Sequence, residues 1–237
     1  MLDADDFIVP GRFAHLLAIS DWDMIADNIA FVPESTIPDF TFSQLRDFAA
    51  DSRLMTLADF IDGNIPHPGV ARGELGFLKP VIRRDVLAGA RLAYDEKLRL
   101  GEDFILYCQA LAAGARFRLV GQCGYVAVER PHSLSGRHRT ADLAALAGAH
   151  ERLSKLSGLS ADDRRILLRH RGHVLRKLGH RDFLDRKQAG GLAHALGSYA
   201  ARPKMLFRIA CDIARDKLCR SPDRSPQGGQ MPRYLFR

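Results

Sequence analysis

Residues 101–120, GEDFILYCQALAAGARFRLV, predict a helix followed directly by a strand. Glu102 and Asp103 suit the first turn of a helix, where carboxylates complement the positive end of the helix dipole. Good helix formers follow, and Gly114 is a natural helix stop. Residues 116–120 then alternate basic and apolar side chains with the period of a strand. This stretch predicts an α/β protein.

Three other short apolar runs bounded by turn residues predict strands, at residues 24–32, 76–83 and 125–128. Asp27 and Asn28 interrupt the first of these runs. Polar residues within a mostly buried strand indicate a functional edge of that strand. We therefore expect Asp27 and Asn28 either to line a cleft or to act as capping residues.

A long connection and a helical second half complete the chain. Residues 33–73 are rich in Pro, Asp, Ser and Gly, and they predict a binding loop or lid that carries one or two short helices, with a disordered segment as the alternative. Beyond residue 140 the periodicity becomes helical. The predicted helices of this half are 141–156, 162–178 and 203–219. We expect three parts: an α/β part at 1–140, a basic helical extension at 141–220 and a disordered tail at 221–237.

The composition of the 237 residues is that of a globular protein, with 46% hydrophobic and 27% charged residues. No apolar run approaches the roughly 20 residues of a spanning helix, and no apolar signal segment follows the acidic start. The four cysteines show no C-x-x-C spacing. We therefore expect a cytoplasmic protein with reduced thiols.

Charge is distributed unevenly along the chain. Residues 1–150 carry 20 acidic and 15 basic side chains, whereas residues 151–237 carry 8 acidic and 20 basic ones. This basic half admits three readings: a solvated helical cap, a surface that binds an anionic membrane, or a nucleic-acid-binding surface. The third is the least favoured, because the basic helices lack interleaved aromatic residues and any known nucleic-acid-binding signature.

Two acidic sites stand about a hundred residues apart. The chain begins Met-Leu-Asp-Ala-Asp-Asp, which places Asp3, Asp5 and Asp6 after an apolar residue. Such carboxylates suit Mg²⁺ or Mn²⁺ bound together with substrate phosphates, although a solvated acidic terminus is the plain alternative. The second site is Glu102-Asp103. A carboxylate held ionised at a helix start can act as a general base, although most such residues are simple helix caps.

Several motifs follow one another in order over about residues 1–136: LDADD at 2–6 with Pro10-Gly11-Arg12, KPVIRR at 79–84, Tyr94-Asp95-Glu96, GEDF at 101–104, the strand at 116–120, Tyr125, and the Pro-His-Ser-Leu-Ser turn at 131–135. Their order resembles that of the family 2 glycosyltransferases with a GT-A fold. Within that family the chain is most similar to the succinoglycan and exopolysaccharide-biosynthesis type. The resemblance implies the C-terminal part of a GT-A, Rossmann-like domain followed by an α-helical extension.

The resemblance also implies roles for the acidic residues. Asp3 and Asp5 are expected to form the D-x-D pair at the nucleotide-sugar diphosphate, with Asp5 or Asp6 binding Mg²⁺ or Mn²⁺. Asp103 is expected to deprotonate the acceptor hydroxyl in an inverting reaction, with Glu102 beside it. We expect Asp5 and Asp103 to face one shared cleft. The implied acceptor is a lipid-linked saccharide, and the implied location is the inner face of the plasma membrane, with no nucleic acid as partner.

Two departures from the family pattern qualify this expectation. The nucleotide-binding strands that normally precede the D-x-D motif are not seen, so we expect a partial catalytic domain that is inactive or nearly so by itself. A truncated, non-catalytic binding or scaffold relative is the alternative. The Q-x-x-R-W motif of processive members is also not seen, and the single tryptophan is Trp22. Addition of one sugar at a time is therefore expected.

The sequence also indicates roles for four further residues. Lys79 and Arg83 could contact phosphate or acceptor groups, or could equally be solvated residues at a strand end. His132 is expected to be an ordinary turn histidine rather than a metal ligand. We expect Cys108 to be a packing residue, because no basic partner is placed near it by spacing.

Overall fold

The structure is a computed structural model that describes residues 4–48, 52–67, 74–130, 138–218 and 232–236. Its strands are β1 (Phe7–Ile8), β2 (Met24–Pro33), β3 (Arg53–Met55), β4 (Val81–Ile82), β5 (Phe117–Glu129) and β6 (Arg233–Tyr234). Its helices are α1 (Arg12–Ala18), α2 (Leu57–Asp62), α3 (Arg84–Gly89), α4 (Glu102–Ala112), α5 (Thr140–Ser154), α6 (Ala161–Tyr199) and α7 (Pro203–Leu218). Short 3₁₀ turns occur at Glu34–Asp39, Phe42–Gln44 and Leu75–Phe77. The predicted mixed α/β class is confirmed.

Two long parallel strands, β2 and β5, form the centre of the sheet. The order along the main path is β1-β5-β2-β4, while β3 pairs with β5 and β6 pairs with β2. These four shorter strands all run antiparallel to their partners. Nearly every residue of β2 is buried, which explains why its sequence is a near-continuous apolar run.

The strand β5 is one continuous element of 13 residues, whereas the sequence predicts two separate strands at 116–120 and 125–128. The register between β2 and β5 shifts on both sides of Asn28. Extra residues on one strand bend it and increase its twist. The bend lets the first half of β5 pair with β3 and the second half pair with β1.

Helices α4, α5 and the first part of α6 share the core of the sheet. Phe104 of α4 and Phe117 of β5 belong to the same buried cluster as Leu143, Leu146 and Leu167 of the helical half. The helical residues next to position 140 are therefore packed as part of the α/β core.

The sequence predicts a helix at 162–178, but α6 continues to Tyr199, with a break at Gly191 where φ is +80°. Its second half and α7 enclose a smaller buried cluster around Phe183, Tyr199 and Ile209. Burial against α7 explains the extension, since the local sequence there is polar and contains several glycines. None of the helices in the described ranges combines the length and apolar composition that a bilayer crossing requires.

The prediction of a disordered tail over 221–237 is wrong for its last part. Residues 233–234 form β6 on the edge of β2, and Leu235 is 6% exposed. The Asn28 amide donates to the carbonyl oxygen of Phe236 at 2.7 Å. The tail is basic and turn-rich, but its last apolar residues, Leu235 and Phe236, pack against the core. Residues 219–231 lie outside the described ranges.

Candidate active site

Asp103 lies in the first turn of α4, as the sequence predicts. Its two carboxylate oxygens contact different donors: the Tyr94 hydroxyl reaches Oδ1 at 2.9 Å, and the Lys79 ammonium reaches Oδ2 at 3.1 Å. The Asp103 and Lys79 side chains are only 19% and 14% exposed. Glu102 precedes Asp103 in the same turn and is partly buried. The sequence signal for Tyr94 was its place in the Tyr-Asp-Glu motif, but its bond to Asp103 was not predicted.

Gly101 allows α4 to begin at this point. Its φ of +72° favours glycine, and a Cβ placed there would lie 2.8 Å from a methyl carbon of Leu146 on α5. The close approach of α5 therefore fixes the entry of the chain into the turn that carries Asp103.

The hydroxyls of Tyr94 and Tyr107 both remain protonated donors. Burial raises the pKa of Tyr94 well above its usual range, and the charge of Asp103 raises it further. Burial likewise raises the pKa of Tyr107, whose hydroxyl donates to the carbonyl oxygen of Leu78 at 3.1 Å.

A buried ion pair of Arg12 and Asp27 contacts the backbone of Lys79. The Arg12 Nη2 atom is 2.8 Å from Asp27 Oδ1 and 2.6 Å from the carbonyl oxygen of Lys79. The two side chains are 4% and 3% exposed. Burial raises the pKa of Asp27, and the bonds and charge of Arg12 oppose that shift. The sequence predicts that Asp27 lines a cleft or acts as a capping residue. The structure instead places it inside the sheet, because Arg12 offsets the cost of burying its charge.

Gly124 on β5 makes room for this ion pair. A Cβ on Gly124 would collide with the carboxylate of Asp27 and would lie 2.8 Å from Cγ of Arg12. The neighbouring residue Asn28 uses its side-chain oxygen to accept from the amide of Ile29. Neither Asp27 nor Asn28 caps a helix.

The acidic start of the chain lies at the end of β5. Asp5 forms an ion pair with Arg130 at 3.1 Å, and Arg130 also contacts Glu34 at 3.0 Å. Asp6 accepts from the Tyr125 hydroxyl at 2.7 Å and from the Val128 amide at 3.0 Å. Asp3 lies outside the described residues.

A continuous series of contacts joins the two acidic sites. Tyr125, which donates to Asp6, has its ring centroid 5.4 Å from the guanidinium carbon of Arg12. Arg12 binds the carbonyl of Lys79, whose ammonium contacts Asp103. These contacts connect Asp6, the neighbour of Asp5, to Asp103 through Tyr125, Arg12 and the backbone and side chain of Lys79. The shared cleft of Asp5 and Asp103 stays a prediction.

Two curated proteins of Rhizobium meliloti (strain 1021) match this chain over most of its length. The succinoglycan biosynthesis protein ExoU is 44% identical over 227 residues, which cover 95% of this chain and 66% of ExoU. The succinoglycan biosynthesis protein ExoO is 30% identical over 230 residues, which cover 90% of this chain and 61% of ExoO. The chain is similar to both succinoglycan biosynthesis proteins along nearly its whole length. The predicted resemblance to the succinoglycan type is therefore confirmed.

The chain spans just under two thirds of the length of the curated relatives that it matches. No protein-family model matches it. The crystal structure of S. aureus TarS 1–349 in complex with UDP-GlcNAc is similar at a TM-score of 0.47 and 15% sequence identity, over 90% of this chain and 63% of that chain.

Asp5 is the better suited of the two described N-terminal carboxylates to hold a divalent cation. Its side chain is 34% exposed and contacts one arginine, whereas both oxygens of Asp6 already accept hydrogen bonds. No group of three His, Cys, Asp or Glu residues in the described ranges could hold a metal ion. Mg²⁺ sites at substrate phosphates often use only one or two carboxylates, so Asp5 fits such a site.

The structure gives Arg83 and Cys108 contacts of their own away from Asp103. Arg83 stacks on Trp22, with 4.6 Å between its guanidinium carbon and the ring centroid, and it donates to the Trp22 carbonyl. Cys108 is fully buried, and burial raises the pKa of its thiol, as expected for a packing residue. His132 lies outside the described residues.

A pair of buried histidines that the sequence does not predict packs against the helix that carries Asp103. His150 Nε2 and His170 Nδ1 are 2.7 Å apart, and both rings stack on Phe104, the residue after Asp103. The sequence carries no spacing signal for this pair, because its members lie on different helices.

Proposed function

We propose that this chain provides acceptor-side catalytic residues of an inverting glycosyltransferase in exopolysaccharide biosynthesis. The donor is a nucleotide sugar, and the acceptor is a lipid-linked saccharide. The observation that carries the proposal is the Asp103 carboxylate, held at a helix start by Tyr94 and Lys79 in a chain similar to succinoglycan biosynthesis proteins.

Asp103 acts as the general base in this proposal. A carboxylate has about four acceptor positions, and the bonds from Tyr94 and Lys79 engage one on each oxygen. The acceptor hydroxyl donates to a remaining position, and Asp103 takes its proton as the oxygen attacks the anomeric carbon of the donor. Glu102, in the same turn, adds negative charge beside the base.

Asp3 and Asp5 face the donor diphosphate. Asp5 is the residue that holds Mg²⁺ or Mn²⁺, and the bound cation supplies charge stabilisation for the departing diphosphate. Asp6 fixes the adjoining chain through Tyr125 and the Val128 amide, and its carboxylate is the second candidate ligand.

The proposed reaction adds one sugar per binding event. Trp22, the single tryptophan of the chain, packs in the fold with 4% exposure and donates to the Ile19 carbonyl. It therefore has a packing role. A product analysis that finds acceptors extended by one residue supports this part of the proposal, and long polymers from single acceptors contradict it.

The test of the catalytic proposal is turnover of several nucleotide sugars at high protein concentration with Mg²⁺ or Mn²⁺. We expect slow, metal-dependent release of nucleoside diphosphate. Asp103→Asn should lower this rate by about 100-fold, the typical contribution of a general base. Asp85→Asn is the matched control, because Asp85 also lies in the first turn of a helix, α3, but is exposed.

Unchanged turnover in Asp103→Asn contradicts the proposed base. Asp5→Asn tests the cation site separately, since it should raise the metal concentration needed for half-maximal turnover. If no donor turns over above the rate without protein, the non-catalytic binding or scaffold relative becomes the better assignment. Binding of the saccharide acceptor without turnover is the positive result for that alternative.

We also propose that α7 lies against the anionic inner face of the plasma membrane. Phe207 is 72% exposed, while Ile209 on the same helix is 3% exposed and packs against α6. Lys204 and Arg208 are exposed beside Phe207. An apolar ring flanked by basic side chains suits insertion among anionic lipid headgroups.

Vesicle flotation tests the membrane proposal. Binding should require anionic lipid, and it should fall by about tenfold in Phe207→Ser, as expected for loss of one buried aromatic ring. Phe13→Ser is the matched control, because Phe13 is 48% exposed on α1. Point variants are preferable to removing residues 203–237, because β6 lies within that range. Equal flotation of both variants, or strongly salt-dependent DNA binding instead, contradicts the proposal.

A further inference from the structure

We propose that Lys79 is a positioning residue for the Asp103 carboxylate, and that the buried Arg12–Asp27 pair sets the place of Lys79. The inference rests on the function proposed for Asp103. In this inference the Arg12–Asp27 pair has two roles: it stabilises the fold, and it positions a residue of the candidate active site.

Lys79 has a flexible side chain, so its ammonium can be placed accurately only from a fixed backbone. The backbone here is held on two sides. Tyr107 donates to the carbonyl of Leu78, and Arg12 donates to the carbonyl of Lys79. Pro80 follows directly, and the residue before a proline is restricted to extended conformations.

The Arg12 guanidinium can hold this carbonyl because Asp27 fixes its plane. The Arg12 Nε atom lies 2.8 Å from Asp27 Oδ2, and Nη2 bridges Asp27 Oδ1 and the Lys79 carbonyl. A planar fork with donors in fixed directions is what this bridge requires. A lysine at position 12 would keep the charge for Asp27 but lose the fork.

Lys79 and Tyr94 bind opposite oxygens of Asp103 and thereby fix the plane of its carboxylate. If the carboxylate were held by the Tyr94 hydrogen bond alone, it could rotate about that hydrogen bond. A base that is misplaced by about 1 Å can lose on the order of 100-fold in rate. Lys79 therefore contributes through Asp103 and does not need to touch the substrate.

The first measurement needs no turnover. The chain contains seven lysines, and ¹³C-methylation of their amines gives one NMR signal for each, with Lys79→Arg identifying the signal of Lys79. We expect this signal to stand apart from those of exposed lysines such as Lys155, which is 71% exposed. It should move toward them in both Asp103→Asn and Arg12→Lys, the second of which also adds an eighth signal from the new lysine, and it should stay in place in Asp85→Asn.

The second measurement separates kcat from the donor KM. Lys79→Met keeps the apolar stem and should lower kcat by about 10- to 100-fold with little change in the donor KM. Lys79→Arg should recover part of the rate because it restores a cation beside Asp103. Arg12→Lys should lower kcat in the same direction, and Arg165→Gln on the Arg165–Asp162 pair, whose side chains are 81% and 79% exposed, should change neither constant.

The possible failures are distinguishable. A Lys79 signal that does not respond to Asp103→Asn overturns the geometric part of the inference, whatever the activity. A raised donor KM with unchanged kcat in Lys79→Met overturns it in favour of a phosphate-binding lysine. If the wild-type chain turns over no donor, the proposed function itself fails, and with it the catalytic meaning of the contact that NMR detects.

Discussion

Arg12 and Asp27 come from different elements, 15 positions apart in sequence, and form an ion pair whose closest N–O distance is 2.8 Å. Both side chains are almost completely buried. Their mutual attraction offsets the loss of hydration that burial imposes on each charge. Removing one charge leaves the other buried without compensation, so the pair is more sensitive to single substitutions than to joint replacement.

Asp27→Asn should lower the free energy of unfolding by about 3–5 kcal/mol, the usual cost of leaving one charge of a buried pair unpaired. Denaturation by urea, followed by circular dichroism, measures the change. The control is Asp162→Asn, because Asp162 and its partner Arg165 are 79% and 81% exposed. We expect no measurable change in the control. Equal losses of unfolding free energy in both variants would show that the buried pair contributes no more to stability than the exposed pair.

Gly124→Ala should disturb the same ion pair by adding a methyl group next to it. The added methyl group would collide with Asp27 and would meet Cγ of Arg12, so one of them must move. Overpacking of this kind costs about 1–3 kcal/mol of unfolding free energy. The matched control is Gly172→Ala in α6, where an added Cβ meets nothing within 4 Å. That variant should be more stable by about 0.5–1 kcal/mol, since alanine favours a helix. A change in unfolding free energy of the same sign in both variants would contradict the expected overpacking at Gly124.

Much of the fold could be predicted because its signals are local. The helix that carries Asp103 follows from carboxylates, helix formers and a glycine stop within one short stretch, residues 101–114. The buried strand β2 follows from its apolar run. Motif order within the N-terminal half was also sufficient to predict the family, because the motifs specify residue types at fixed positions along the chain.

The contacts inside the site could not be predicted, because they join residues that no periodicity relates. Arg12 reaches Asp27 and the Lys79 carbonyl only after α1 has packed on the sheet. The bond from Asn28 to Phe236 spans 208 positions. The same limitation explains the wrong prediction for the tail, since β6 is too short to give a strand signal and depends on β2 as its partner.

The His150–His170 pair should make stability depend on pH. The Leu146 carbonyl can only accept, so His150 Nδ1 donates to it at 2.8 Å, and Nε2 accepts from His170. Burial lowers the pKa of His150, and the charge of Arg171 lowers it further. The unfolded chain therefore binds more protons than the folded one once the pH falls below the ordinary histidine value of about 6.5. The contribution is complete above that pH and is lost as the pH falls.

We expect the free energy of unfolding to fall by about 1 kcal/mol between about pH 7.5 and about pH 5.5 through His150. Denaturant titrations at several pH values measure the slope, and His150→Gln should flatten it because glutamine does not titrate. His194→Gln, at an exposed position on α6, should keep the wild-type slope. A slope in His150→Gln that equals the wild-type slope would rule out His150 as its source.

Leu235 tests whether the end of the chain belongs to the folded core. It is 6% exposed, its amide donates to the Ile29 carbonyl at 2.9 Å, and β6 beside it pairs with β2. Leu235→Ala should therefore lower the free energy of unfolding by about 2–3 kcal/mol, the lower part of the range for buried leucines, because the site lies at a sheet edge that can partly close. Leu17→Ala is the matched control, since Leu17 is 62% exposed on α1. A tail that is detached in solution predicts the same small change for both variants, and urea denaturation distinguishes the two outcomes.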